Sequence, residues 1–437
     1  MKIILIVLDG VGDRSYPSLG HRTPLQAAKT PNLDRLAQLG SNGLFHASCP
    51  GQCLPSETAH FLLLGYGLKD FPGRGLLEAV GAGVPFENED VLSLAHLSSI
   101  LWKEGAPVLE QGRKEIDGTE SELASLFAAL TPYKTRGIRL QLCRTGHNDG
   151  ILILKGPVSP HVSDSDPMVQ GRSMARIHPL AGNPEPKKAE ATARALNSYL
   201  IWCHRALSSH EVNRLRREAN RPLINFLATQ RCGRRSVVEP FRERWGMSGM
   251  LIASGAVYAG LARELGLTSV VAKDSREPGA DLRDRVRMAL GDPLHDFILI
   301  HTKAPDEAAH RGDPELKRRA IATLDTGLTE LPGEVETRKD LIVVVTADHS
   351  TPCVSSLIHS GESVPVTLTG PGMRRDDVGA FDEISAAKGC VGLLRGCELM
   401  LTLLNCADLS ALAGHRLGAV ERAYFPRDYP LFGLTDE

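Results

Sequence analysis

The sequence predicts an α/β protein: a mostly parallel sheet flanked by helices, with a smaller α+β domain inserted in mid-chain. Three observations carry this. Short aliphatic runs, Ile3–Leu8 and Leu341–Val345 among them, are apolar on both faces, as strands buried on both sides of a parallel sheet must be. Helical segments separate such runs at both ends of the chain, the alternation that parallel strands require. Between about residues 85 and 235 this alternation stops, and period-two segments replace it. The 437 residues exceed one ordinary core and suffice for two domains. The expected division is a discontinuous domain, 1–84 with 236–437, interrupted by a domain at 85–235.

Ile3–Leu8, IILIVL, is the first buried strand, and Asp9-Gly10 ends it. Such a strand end is where an open α/β sheet places its ligand. Gly10 and Gly12 leave room there for a metal or phosphate. Thr30-Pro31-Asn32 opens a helix, Leu33–Leu39, that Gly40 ends. A second helix starts near Ser56, in Pro55-Ser56-Glu57-Thr58-Ala59-His60. Serine at that place is commonly an N-cap. It is equally suited as a nucleophile, because free N–H groups and positive potential at a helix start favour a phosphoryl group. Both readings stand at this point, and the second needs a base or metal to remove the hydroxyl proton.

In the middle region, Ile138–Leu142 alternates at period two and Ile151–Leu154 follows the turn-rich Thr145–Gly150, as in an antiparallel hairpin with one wet face. Ala189, Ala193, Leu196, Leu200, Cys203 and Leu207 fall at helical spacing after Pro186. Arg231, Arg234 and Arg235 cluster near the end, either as a solvated surface or as a clamp for phosphate or carboxylate. After about Ser236, short strands return at Met250–Ala253, Ser269–Ala272 and Phe297–Ile300, with a helix from Gly255 to Leu265. Asp306 and His310 follow, four apart; on a helix they share a face and can bind one ion. Leu341–Val345 then runs into Thr346-Ala347-Asp348-His349. Adjacent side chains leave an extended chain in opposite directions, so this Asp and His can serve two ions. His359 comes ten residues later.

The resulting constellation is Asp9, Asp306 and Asp348 at three strand ends, with His310, His349 and His359, and Ser56 at a helix start. Oxygen and nitrogen donors without thiolate suit Mn²⁺, Mg²⁺, Zn²⁺ or Co²⁺. Two such ions can activate one oxygen and neutralise phosphoryl charge as another leaves. The net charge of -2, without long charged blocks, argues against a nucleic-acid or membrane-surface partner. No transmembrane run stands out, and Ile3–Leu8 is too short for a signal core. Nine scattered cysteines without paired CxxC motifs point to a reducing cytoplasm.

Several long stretches carry a family resemblance: LDGVGDR (Leu8–Arg14), TPLQAAKTPNLDRLA (Thr23–Ala37), SETAHFLLLGY (Ser56–Tyr66), GRGLLEAVGAG (Gly73–Gly83), KAPDEAAHRGD (Lys303–Asp313), TADHSTPC (Thr346–Cys353) and FDEISAAKG (Phe381–Gly389). Through them the sequence resembles the archaeal-type cofactor-independent (2,3-bisphosphoglycerate-independent) phosphoglycerate mutases of the alkaline phosphatase superfamily. The resemblance implies an alkaline-phosphatase-like domain made from both chain ends, with the middle inserted. It implies that Asp306, His310 and His359 hold one metal, that Asp9, Asp348 and His349 hold another, and that Ser56 is the phosphorylated nucleophile beside it. It further implies interconversion of 2- and 3-phosphoglycerate, two divalent ions with Mn²⁺ foremost, no organic cofactor, and a small phosphorylated acid as the partner.

The departures lie mostly in the insert. The family's Asn-Phe-Ala-Thr run corresponds to HLSSILW (His96–Trp102), and its arginine-rich DRRAGR to EQGRKEIDG (Glu110–Gly118). Its His-Arg corresponds to His147-Asn148, its RGAG to Arg231-Cys232-Gly233-Arg234, and a helix lysine to Ala259. The expected substrate-binding groups are His147, Arg231, Arg234 and Arg285. With basic groups missing there, phosphoryl transfer through Ser56 is better supported than phosphoglycerate as the substrate. Alternatives are a phosphatase, phosphotransferase or phosphonate hydrolase acting on another small acid, and a non-catalytic protein that binds a phosphorylated ligand. Retention of seven chemical groups speaks against the last.

Overall fold

In the computed structural model the chain begins with β1 (Lys2–Leu8), buried from Ile3 onward. The structure describes residues 1–414, 421–422 and 433–434. They form two units: Met1–Lys69, Phe241–Ser254 and Leu267–Glu437 make the first, and Asp70–Pro240 with Gly255–Gly266 the second. β1 and β2 (Ser41–His46) belong to the first unit. β3 (Val91–Lys103), β4 (Ala106–Gln111), β5 (Tyr133–Thr135), β6 (Ile138–Arg144), β7 (Asp149–Lys155) and β8 (Phe226–Gly233) belong to the second. The chain then returns to the first with β9 (Gly249–Ala253), β10 (Thr268–Val271), β11 (Phe297–Thr302), β12 (Leu341–Thr346), β13 (Val364–Thr369) and β14 (Gly392–Arg395).

The first unit is a mostly parallel sheet in the order β10-β9-β11-β1-β12-β13-β2-β14. β1 lies between β11 and β12, parallel to both. This central place explains aliphatic side chains on both faces, each worth roughly 1.5–3 kcal/mol when buried. β13 runs antiparallel to β12 and β2. Its Pro365 is tolerated because the ladder to β12 starts only at Thr367, leaving no partner there for the missing N–H. The helix Pro31–Leu39 packs Leu33, Leu36 and Ala37 inward. Its cap comes from far along the chain: Asp325 Oδ1 accepts from Leu33 N–H at 2.8 Å.

The second unit is an antiparallel sheet in the order β4-β3-β7-β6-β5, with β8 also on β3. The helix Pro186–Ser208 buries Leu196, Tyr199, Leu200 and Cys203 against one face, together with Leu140, Leu152 and Leu154. On the other face lies the helix Arg74–Ala82, through Leu76 and Ala79. The helix Ala256–Glu264 packs on that helix at very short range: a Cβ at Gly260 would lie 1.8 Å from Leu77 O. These contacts group residues 70–84 and 255–266 with the second unit, so its limits fall at Asp70 and Pro240 where 85 and 235 were expected. No described helix is long and apolar enough to cross a membrane.

Candidate metal and nucleophile site

β1, β11 and β12 run side by side and deliver their following residues to one end of the sheet. Asp9 follows β1, and Asp348-His349 comes two residues after β12. Asp306, expected at a strand end, lies instead in the short helix Ala304–Ala309, four residues past β11, and His310 caps that helix. Lys303 and Pro305 turn the chain into a helix before the carboxylate is reached, and the i,i+4 spacing brings His310 Nε2 to 3.3 Å from Asp306 Oδ2. Gly10 is in the left-handed region at φ +64°. A Cβ there would sit 2.5 Å from Thr351 Oγ1 and 2.8 Å from Asp306 Cβ, so glycine lets the loops meet.

Ser56 is the first residue of the helix Ser56–Leu63, and Pro55 occupies the cap position. Its hydroxyl points to an imidazole far along the chain. It lies 2.9 Å from His349 Nε2, which is also 3.1 Å from Asp348 Oδ2 and 3.3 Å from Asp9 Oδ1. His359 Nε2 stands 3.7 Å from Asp306 Oδ1, and the His349 and His359 rings stack at 3.8 Å. All seven expected groups are therefore gathered in the first unit. Two trios of candidate ligand atoms lie within 4.8 Å of one another: Asp306, His310 and His359, and Asp9, Asp306 and His349. The second trio has Asp306 where Asp348 was expected. Asp348 Oδ1 is occupied by the amides of Gly10 (3.1 Å) and His349 (3.0 Å), while Oδ2 is buried and accepts no hydrogen bond.

These residues fit divalent cations. Burial, and then the charges of Asp348 and Asp306, push the Asp9 carboxyl well above its usual range. Bringing three carboxylates together out of water calls for positive charge. Burial alone would raise Asp348, but His349, then His60 and His301, hold it below the usual range. Burial, then His349, pushes His359 down to about 4, a neutral imidazole at ordinary pH. Its Nδ1 donates to Leu54 O at 2.7 Å, which leaves Nε2 with a lone pair toward Asp306.

Sequence reasoning assigned no role to His60, His301 or Lys317. His301 Nε2 donates to Asp9 Oδ2 at 2.9 Å. His60 Nδ1 donates to Ser56 O at 2.8 Å and lies 3.4 Å from Asp348 Oδ2. Burial lowers both imidazoles, so a neutral His301 ring orients Asp9 through its hydrogen bond, while the neutral His60 ring lies beside Asp348. A clue was present for each: His60 is one helical turn from Ser56, and His301 continues an aliphatic strand.

The four expected substrate-binding groups are divided between the units, Arg285 in the first and the other three in the second. Arg285 is buried in the first unit, where its guanidinium binds the carbonyls of His301 and Lys273 and the Asp274 carboxylate. It holds the end of β11 and does not reach toward a ligand. His147, Arg231 and Arg234 are in the second unit. His147 is exposed in the β6–β7 turn, 3.4 Å from Glu120. Arg231 N–H donates to Asp164 at 2.7 Å, and Arg234 pairs with Glu185 at 2.9 Å. On β3, Asp149 is level with His96 and Gly233 with Leu92, about 13 Å apart along the strand, and His147 and Arg234 lie beyond those two levels, further apart still. Asn148, the counterpart of a family arginine, is buried, and its amide bonds Leu97 N–H, Leu97 O and Arg113 O.

Clustered carboxylates and imidazoles at the strand ends of such a sheet mark a metal-dependent class of enzyme, and a profile of the metalloenzyme superfamily matches residues 1–405. The chain is 40% identical to 2,3-bisphosphoglycerate-independent phosphoglycerate mutase 2 of Methanocaldococcus jannaschii over 98% of each chain. It is 35% identical to the 2,3-bisphosphoglycerate-independent phosphoglycerate mutase of Methanopyrus kandleri, over 93% of this chain and 96% of that one. The solved cofactor-independent phosphoglycerate mutase of Thermoplasma acidophilum is 30% identical, with a TM-score of 0.61 over 93% of this chain and 100% of that one. The chain belongs to the family of 2,3-bisphosphoglycerate-independent phosphoglycerate mutases, within the metalloenzyme superfamily.

Proposed function

We propose that this chain interconverts 2- and 3-phosphoglycerate by metal-dependent phosphoryl transfer to and from Ser56. The observation that carries the reading is Ser56 Oγ at 2.9 Å from His349 Nε2, beside the Asp9 and Asp348 carboxylates. Two divalent ions, Mn²⁺ foremost, are held in this reading by Asp9, Asp348, His349 and Ser56 and by Asp306, His310 and His359, with Asp306 within reach of both sets. They supply positive charge that acidifies the serine hydroxyl and offsets the phosphoryl oxygens. Donors of oxygen and imidazole nitrogen alone support that choice of metals, and the chemistry calls for no organic cofactor.

The chain's own groups do the rest. The first helical bond after Ser56 runs from Ala59 N–H to Pro55 O at 2.9 Å, so the amides ahead of Ala59 face the incoming phosphoryl oxygens. In the first half-reaction Ser56 Oγ bonds to phosphorus while the bond from phosphorus to the substrate oxygen breaks. That oxygen takes a proton and becomes a glycerate hydroxyl. In the second half, the neighbouring hydroxyl loses its proton, bonds to phosphorus and releases Ser56 Oγ. His301 keeps Asp9 in place throughout, and His60 holds the Ser56 carbonyl beside Asp348. Arg231 and Arg234, three residues apart at the end of β8, are the groups proposed to hold the acid's carboxylate, and His147, at the other end of the β3 ladder, is left out of that role. The nine free cysteines fit a reducing cytoplasm, the proposed location.

The test supplies 3-phosphoglycerate to Mn²⁺-loaded protein and follows phosphorus by NMR. The expected result is 2-phosphoglycerate, absent with Ser56→Ala. Free phosphate alone would replace the mutase by a hydrolase, and no reaction from well-metallated protein would remove phosphoglycerate as the substrate.

A further inference from the structure

We infer that the second unit carries a groove that binds a chain of phosphates, on the edge hairpin β5–β6 and the end of β7. The strand register sets Lys134 opposite Arg139, and Arg139 opposite Lys155. Directly opposed residues of antiparallel strands point to one face, with Cβ atoms about 4.5–5.5 Å apart. At the neighbouring level Tyr133, Leu140 and Leu154 pack into the core on the other face, which fixes the outward aim of the basic row. Three cations thus stand side by side across three strands, and like charges so placed oppose folding unless an anion lies over them.

Arg136, in the turn between β5 and β6, adds a fourth cation, and the four line an open groove of about 580 Å³. Among the described residues only Lys155 has a carboxylate partner, Asp90 at 2.9 Å. Several other arginines in this unit are matched, Arg113 with Asp149, Arg144 with Glu120, Arg234 with Glu185 and Arg235 with Glu264, so three unmatched cations in one groove stand out. The chain as a whole carries -2, so the surplus here is local. A row about 10 Å long, at the spacing of neighbouring strands, matches several charges in line better than one carboxylate or orthophosphate. Among the described residues no aromatic side chain lines the groove, so recognition rests on the phosphate chain and not on a base. The groove lies at the far end of β6 and β7 from the turn bearing His147, and it stands independently of the reading given to Ser56.

Equilibrium dialysis of labelled tripolyphosphate, with Mg²⁺ in excess over metal-loaded protein, tests this. Wild-type protein is expected to bind one equivalent more than the double variant Lys134→Gln/Arg139→Gln, or to bind it roughly tenfold more tightly. That extra binding is expected to weaken steeply with salt, and Lys134→Arg to retain it. ATP is expected to compete as well as tripolyphosphate, which would show that the phosphate chain is read whichever compound supplies it; capture of ATP without tripolyphosphate would overturn the proposal. Equal site counts and affinities in wild type and double variant would also overturn it. Losing two like charges is expected to leave the unliganded melting temperature level or higher, which verifies that the variant is folded.

Discussion

Lys317 Nζ lies 3.1 Å from Asp13 Oδ2, and neither side chain has any solvent exposure. The same ammonium donates to Gly12 O at 2.9 Å and Thr351 O at 2.8 Å. One side chain therefore ties the loop after β1 to the loop after β12, the two loops that present Asp9 and Asp348-His349. Replacing Lys317 by methionine is expected to leave Asp13 buried without its countercharge, at a cost of about 3–5 kcal/mol in denaturant unfolding. It is also expected to weaken Mn²⁺ binding by roughly 10–100-fold in calorimetric titration, as losing a support behind metal ligands does. Unchanged stability and affinity would show that the tie is dispensable.

Asp306 belongs to both candidate ligand trios, whereas His310 belongs to one. Asp306→Asn is therefore expected to empty both metal positions, and His310→Ala to lower the content by about one ion per chain. Elemental analysis after dialysis reads this directly. Equal losses in the two variants would argue against a shared carboxylate.

Ser56 is not the helix cap, so Ser56→Ala is expected to leave the melting temperature nearly unchanged and remove turnover. Mass spectrometry of wild-type protein quenched during turnover is expected to find phosphate on Ser56. Near-normal turnover by the alanine variant would exclude the nucleophile.

Glu383 accepts from Asp13 N–H at 3.1 Å and from Thr23 Oγ1 at 2.8 Å. Burial pushes its carboxyl from the usual 4.5 up to about 7. The folded chain thus keeps a proton that the unfolded chain releases, and stability from this group is full below pH 4.5 and lost as pH rises through 7. Melting temperatures of Glu383→Gln are expected to fall less than those of wild type across that interval. Parallel curves would mean that the carboxyl titrates normally.

By the family resemblance Asn148 corresponds to an arginine, yet placing arginine there is not expected to raise the mutase rate. Its amide satisfies buried backbone groups of Leu97 and Arg113. Asn148→Arg is expected to cost about 1–3 kcal/mol for each group left unpaired. A gain in mutase rate without loss of stability would contradict this.

The sheet's centre was legible because β1, β11 and β12 are buried on both faces and need continuous aliphatic residues. β2 and β3 were not read as strands. β2 buries Ser41, Asn42 and Gly43, and the Asn42 side-chain NH2 donates to Ala37 O and to Asp376, a partner no local pattern reveals. β3 hides Ser93, His96, Ser98 and Ser99 within one strand, which breaks the apolar signal. At the site, the carboxylates and imidazoles stood out by type and position. Lys317 and His301 did not, because each acts on a residue about 300 positions away. Arg285 misled for the opposite reason: its charge suggested a ligand, but only burial shows that it holds backbone carbonyls.

The central place of β1 has a consequence for synthesis of the chain. Its neighbours β11 and β12 begin about 290 and 330 residues after β1 ends. At ordinary translation rates the first of them emerges roughly 15–60 s later. Throughout that interval Ile3–Leu8 is an unpaired aliphatic strand, the kind of segment that chaperones cover and other chains capture. Ser56, too, is made long before Asp306, Asp348 and His349 exist to surround it. The nascent chain carries that serine without its neighbours, and the proposed nucleophile gains them only 293 residues later, when His349 is made.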